Sequence, residues 1–374
     1  NGSIWTVPDV RKRIKSLIER GGQLVVIDPR RTETAELATE HHAARPGTDA
    51  ALLLALIHLL FRDGLIDMGH LSDFVDGIDE IKKAVVSYTP EWAASHTGMS
   101  SEKITQLAHD FSSADRAICY GRMGVSTQRF GTLCQWAIQV INVLTGNLDR
   151  EGGSLFTLPA VDQVLGVSPG GFGRHASRVR QLPEFDRELP VACLAEEITT
   201  PGEGKIRALF TGAGNPVLST PAGDALEDAL EDLEFMISLD PWINETTRHA
   251  DVILPPTSPL EHDHYDLAFH VNAMRNTARF SDAVFEKPEG SLHDWEIFQA
   301  LGERVAGALD LDARQAVPPD VIIDQGLKNG PYGENSDYKL SIEALRATPS
   351  GVDLGPLKSQ LPERLQTPGQ RINL

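Results

Sequence analysis

Apolar positions along the chain fall into short runs and longer helical periods that alternate, the pattern of an α/β protein. Leu24-Val25-Val26-Ile27 is four apolar residues, three of them β-branched, and reads as a buried parallel strand. Gly21-Gly22 marks its start. Asp28-Pro29 marks its end, because proline cannot donate a further ladder bond. Ahead of it, residues 7–20 form a basic amphipathic helix with Ile14, Leu17 and Ile18 on one side. After it, residues 50–61 read as a buried helix and 79–87, 90–96 and 101–112 as three short ones, the last capped by Ser100. A second strand is expected over 117–120, then a long apolar helix over 130–144 with Gly146 at its end. Further strands are expected over 206–210, 234–239 and 250–256, with helices over 225–233 and 295–309. Residues 311–374 are Pro-rich and polar and read as a weakly cored extension. His41 and His42 read as part of a solvated loop.

One stretch occurs twice. Asp28-Pro29, Glu33-Thr34 and Ala38 recur as Asp240-Pro241, Glu245-Thr246 and Ala250, all 212 positions later and without a gap. Each copy follows an apolar strand. The carboxyl ends of strands in open α/β sheets are where ligands bind. A carboxylate there suits a ribose diol or the N–H edge of guanine. Either copy alone reads better as an ordinary Asp-Pro turn whose Asp or Thr caps the next helix. The pair together points to two related α/β units that hold two similar nucleotide-like groups across a pseudo-twofold axis. Asp49, in Arg45-Pro46-Gly47-Thr48-Asp49, is either a helix cap or a second carboxylate on the first nucleotide.

Composition narrows the classes. A net charge of −19 argues against nucleic acid and against an anionic membrane surface. The longest apolar run, residues 50–60, is about half a membrane span. The three cysteines lie far apart with no CxxC pair, which suggests no iron–sulfur or zinc site within these residues. So sparse a count fits a reducing, cytoplasmic compartment. Asn1-Gly2-Ser3 has no initiator Met, so the natural N-terminus is expected to lie upstream.

Glycines supply the remaining ligand candidates. Gly121-Arg122-Met123-Gly124 follows the expected second strand, and Thr211-Gly212-Ala213-Gly214-Asn215 follows a later one. Glycine there lets backbone N–H groups approach a ligand, or simply makes a tight turn. Arg174 and Arg178 stand in a Gly-rich stretch, residues 151–180, as cations for an anionic ligand or as a solvated basic loop. Glu261-His262-Asp263-His264-Tyr265-Asp266 has metal-ligating residue types but irregular spacing.

Several of these motifs stand together in an order that resembles a known family. Ile27-Asp28-Pro29-Arg30-Arg31-Thr32-Glu33-Thr34-Ala35, Arg45-Pro46-Gly47-Thr48-Asp49, Leu144-Thr145-Gly146-Asn147, Gly214-Asn215-Pro216 and Ala250-Asp251-Val252-Ile253-Leu254-Pro255 carry the likeness. The chain resembles the molybdopterin oxidoreductases of the dimethyl sulfoxide reductase type, which include formate dehydrogenases and nitrate reductases, from residue 1 to about 309. The resemblance implies two doubly wound, Rossmann-like α/β domains with mainly parallel sheets. Residues 1–150 would form the first, 151–310 the second without its upstream segment, and 311–374 an extension toward a C-terminal domain. It implies two molybdopterin guanine dinucleotides with molybdenum or tungsten between them, and an iron–sulfur cluster in an upstream segment. Carried over, Asp28, Thr34 and Asp49 would serve one guanosine end, with Arg30 and Thr32 as further cofactor-binding candidates in the same stretch. Asp240, Thr246 and Glu261 would serve the other, and Gly121, Arg122, Met123, Gly124, Gly212 and Asn215 would line phosphates or pterins. The implied partners are a small-molecule substrate and an electron-transfer protein. The metal ligand and cluster segment are not among these residues, so the piece by itself is expected to be inactive. Residues 154–173 lack the Arg-Gly…Asn-x-x-Gly stretch of formate dehydrogenases, which leaves Arg174 and Arg178 as the catalytic candidates and the substrate open. The alternative is a nucleotide-binding module or scaffold with no redox role.

Overall fold

The computed structural model describes residues 3–162, 171–312 and 315–374. The chain divides into two compact units, Asn1–Phe156 with Leu357–Leu374, and Thr157–Pro356. Residues 311–356 thus belong to the second unit and the last eighteen to the first. Among the described residues no helix is long and apolar enough to cross a membrane.

The first unit is organised around the helix Asp49–Arg62. Ten of its residues, from Ala50 to Leu60, are buried on every side. A helix apolar all round is stable only when other elements enclose it. Here the helices Pro90–Thr97, Ser101–Ser113 and Gly131–Leu144 do so. Thr89 and Ser100 cap two of these, their hydroxyls accepting the Trp92 and Lys103 N–H groups. Gly146 takes φ 63° just past the third, the left-handed end that glycine permits. The strand Val25–Ile27 pairs in parallel with Glu40–His42. His41 and His42 therefore sit on a half-buried strand, not in a solvated loop; the period-2 alternation that marks a strand is hidden by three polar residues in a row.

Residues 117–120 form no ladder with another strand among the described residues. Two asparagine side chains replace one. The Asn142 amide accepts from the Cys119 N–H at 2.9 Å and donates to the Cys119 carbonyl at 2.9 Å. Asn147 Oδ1 accepts from the Ala117 N–H at 3.2 Å. The expected ladder strand is thus a segment held by side-chain amides.

The C-terminal stretch returns to this unit. Ile372–Asn373 pairs in parallel with Val75–Asp76, and Arg371 forms two hydrogen bonds to the Asp76 carboxylate. Asp149, fully buried, accepts the Gln360 and Leu361 N–H groups on one carboxylate oxygen, each at 2.7 Å.

The second unit holds a three-stranded parallel sheet with Phe235–Leu239 between Ala208–Gly212 and Val252–Leu254. Leu226, Ala229 and Leu230 of the helix Gly223–Leu230 pack with Ile198 and Met236. A separate core joins Ala278 and Phe280 to Ile323, Leu327, Leu340, Ile342, Leu345 and Leu354. The region expected to be weakly cored therefore builds a core of its own. Its apolar residues are spread over several short elements, which is why no run of sequence announces it. The architecture is mixed α/β with small, mainly parallel sheets.

Asn142→Leu keeps volume but strands both Cys119 backbone groups, and unpaired buried groups cost about 1–3 kcal/mol. Urea unfolding should register a loss of that size; a loss below about 0.5 kcal/mol would show that water replaces the amide.

Candidate functional site

At the edge of the first unit's parallel pair, Asp28 follows the strand directly. Its N–H extends the ladder to the His42 carbonyl at 3.1 Å. Pro29 offers no N–H, so the first free backbone donor is that of Arg30, and Asp28 Oδ1 accepts it at 2.9 Å. His41 Nε2 lies 2.9 Å from the Asp28 carbonyl oxygen. The Arg30 carbonyl then accepts the Thr32 N–H at 3.0 Å. Thr32 caps the short helix Glu33–Glu36, as its hydroxyl position suggested. Thr34 is buried, and its hydroxyl accepts the Ile4 N–H at 3.3 Å.

The second unit repeats part of this pattern, the Asp and Thr bonds. Asp240 follows the central strand of the parallel sheet, and its Oδ1 accepts the Trp242 N–H at 2.8 Å, again across a proline. The Trp242 carbonyl accepts from Thr247 Oγ1 at 2.8 Å. Thr246 is fully buried, and its hydroxyl accepts the Val217 N–H at 3.0 Å while donating to Asn215 Oδ1 at 2.7 Å. Ile4 and Val217 are each the second residue of a four-residue helix, Ser3–Thr6 and Pro216–Ser219. The corresponding residues of the repeat therefore do corresponding work. Each Asp closes a turn onto the second residue beyond it, and each Thr ties down a neighbouring helix start. The helix after the turn is not repeated: the second copy has only the 3₁₀ turn Thr247–His249.

The glycines differ in what surrounds them. A Cβ on Gly121 would meet Ile138 and Val125 at 2.5 and 2.6 Å, so glycine there serves packing against the helix Gly131–Leu144. Gly124 faces open space, with nothing within 4 Å of a Cβ. Gly212 and Gly214 are nearly as open. Between them Ala213 takes φ 51°, a left-handed conformation costing roughly 1–2 kcal/mol, held by its N–H bond to the Leu239 carbonyl at 2.9 Å. Met123 is exposed, and Arg122 reaches Thr6 Oγ1 at 2.7 Å. Asp49 begins its helix, one position inside the cap at Thr48, and its Oδ2 accepts from Gln128 Nε2 at 3.0 Å.

Arg174 and Arg178 are committed to structure. Arg174 donates to Glu184 through its guanidinium and its backbone, bracing the hairpin of Phe172–Ala176 and Pro183–Phe185. Arg178 donates to the Thr200 carbonyl at 2.8 Å. Of the stretch lacking the Arg-Gly motif, residues 154–173, residues 163–170 lie outside the described residues. Glu261 accepts the Ser258 N–H at 2.8 Å. Asp263 takes Arg346 and the Ala283 N–H. Among the described residues no group of three His, Cys, Asp or Glu could hold a metal ion. One residue that sequence reading passed over is Trp242, 74% exposed in a turn. Its signal was a large aromatic residue where turn chemistry expects a polar one.

A family model described as molybdopterin oxidoreductase matches residues 5–304. The F420-dependent formate dehydrogenase subunit alpha of Methanocaldococcus jannaschii is 28% identical over 309 residues, covering 80% of this chain and 45% of that one. Formate dehydrogenase H of Escherichia coli is 28% identical over 326 residues, covering 83% of this chain and 45% of its own. The chain spans a little under half the length of these two relatives. Among solved structures, acetylene hydratase from Pelobacter acetylenicus has the same fold with a TM-score of 0.66 at 18% identity, over 96% of this chain and 52% of that one.

Glu184 provides a pH test of the Arg174 assignment. The Arg187 backbone donor, and after it the Arg174 guanidinium, hold its carboxyl down to about 2. A depressed folded value means the stabilisation is present above the unfolded value of about 4.3 and is lost as pH falls toward 2. Unfolding midpoints measured from pH 5 to 2 should fall less steeply in Glu184→Gln than in the wild type. Identical slopes would remove Glu184 as the anchor of Arg174.

Proposed function

The chain belongs to the molybdopterin oxidoreductase family, and from that premise we propose that it forms the central part of a molybdenum or tungsten enzyme in which each unit grips the nucleotide end of one molybdopterin guanine dinucleotide. The observation that carries this reading is the recurrence of one turn, Asp-Pro with the carboxylate on the second N–H beyond it, at the ends of two parallel strands. The donor set suits such a ligand. Carboxylates accept from the paired N–H groups of guanine or from a ribose diol, by charge-assisted bonds stronger than neutral ones. The backbone at Gly124, Gly212 and Gly214 is open enough for phosphate oxygens to approach. Asp49 and Gln128 add an acceptor and an amide in the first unit, and Asn215 and Glu245 do the same in the second.

When bound, the cofactor supplies the redox chemistry, exchange of an oxygen atom or a hydride equivalent with a small substrate. This chain's share is to bind and orient. The buried Thr34 and Thr246 do not reach a ligand on this reading; they fix the short helices beside each carboxylate. The metal ligand and the iron–sulfur cluster belong, on the same reading, to protein outside these residues. The relatives' names specify formate, but Arg174 and Arg178 are engaged elsewhere, so the substrate class proposed is no narrower than a small molecule.

Asp28→Ala and Asp240→Ala in the full-length enzyme should each lower molybdenum or tungsten per chain. An unmatched donor costs about 1–3 kcal/mol, roughly 5- to 150-fold in cofactor affinity. Stability should change by no more than about 1 kcal/mol, a turn cap's worth. Full metal loading in both variants, with melting temperature alone reduced, would leave these residues as turn formers only.

A further inference from the structure

The two turns share a feature that a capping role does not require. In each, the residue two beyond the carboxylate has its backbone pinned at both ends while its side chain stands in solvent. Arg30 donates its N–H to Asp28 and accepts the Thr32 N–H on its carbonyl, yet its side chain is 75% exposed. Trp242 donates its N–H to Asp240 and accepts from Thr247 Oγ1, yet it is 74% exposed. The Arg30 guanidinium lies 3.9 Å from the Glu33 carboxylate. The two side chains differ in charge and polarity. They agree in being flat, with π-faces that stack on aromatic rings.

We propose that Arg30 and Trp242 are stacking platforms for the two purine bases, one on each unit, working beside Asp28 and Asp240. The inference rests on the reading that these turns hold guanine nucleotides. The shared turn puts each flat group two residues beyond its carboxylate, on a backbone N–H bonded to it. The carboxylate can take the donor edge of a base while the planar side chain covers one ring face. Guanine presents two adjacent N–H donors on that edge, and adenine does not, so the pair selects a guanine-type base. Guanidinium and indole are two solutions to one geometric demand. A lysine at position 30 would keep the charge and lose the plane.

The test uses the full-length protein and reads nucleotide, not turnover. Guanine nucleotide per chain is measured after acid release, together with its rate of loss on dilution. Trp242→Ala should lose nucleotide about tenfold faster than wild type, in line with stacking losses measured on alanine substitution. Trp242→Phe should stay near wild type. Arg30→Lys should behave like Arg30→Ala, because charge without the plane does not stack. Both positions are exposed, so thermal melting should not move. Wild-type retention in Trp242→Ala and Arg30→Lys overturns the proposal. Loss in only one of them overturns it for the other unit. Asp240→Ala, run in parallel, separates the two levels: if it loses nucleotide while Trp242→Ala does not, stacking alone is wrong. If Asp240→Ala also keeps its nucleotide, the guanine reading of the turn falls with it.

Discussion

The arrangement depends on what a proline does at the end of a parallel strand. Pro29 and Pro241 have no N–H, so ladder pairing stops, and the next backbone donor belongs to the residue beyond. An aspartate before the proline accepts that donor with one oxygen and bends the chain off the sheet edge. A half-buried Asp28 and a buried Asp240 stand at these strand ends, and the side chain two positions on is exposed on a pinned backbone. A residue other than Asp would leave the Arg30 or Trp242 N–H to find another acceptor.

Supporting structure keeps these turns in place from behind. In the first unit, a helix apolar on all sides forces its neighbours to wrap it, and the strand Val25–Ile27 packs against the same core through Ile27. In the second, the central strand Phe235–Leu239 gains its position from neighbours on both sides and from Met236 in the helical core. Thr34 and Thr246 face inward in both units and hold the helices that flank the turns. At the end of the strand Ala208–Gly212, Ala213 is one of the non-glycine residues held left-handed, here between two open glycines. Such strained positions cluster where backbone must be presented to a ligand.

Much of this was legible in the residues. Runs such as Leu24 to Ile27 and residues 50–60 announce themselves because their periodicity matches the element they form. The gapless repeat marks both turns in the residues alone. What escaped did so for physical reasons. Residues 117–120 have strand composition, but asparagine amides from another element satisfy them, and no local pattern encodes that. His41 and His42 are strand residues whose polarity hides the period. Ile323, Leu327, Ile342, Leu345 and Leu354 make a core only after several turns bring them together. Thr34 and Thr246 are buried, and their hydroxyls accept the Ile4 and Val217 N–H groups, which the residue type alone does not announce.

The central claim is that the two Asp-Pro turns are equivalent grips on two nucleotides. An experimental structure of the cofactor-loaded, full-length protein tests it most directly. The account predicts Asp28 and Asp240 carboxylate oxygens within about 3 Å of guanine or ribose donors of separate nucleotides. Nucleotides bound elsewhere, with neither carboxylate in reach of a guanine or ribose donor, would contradict it.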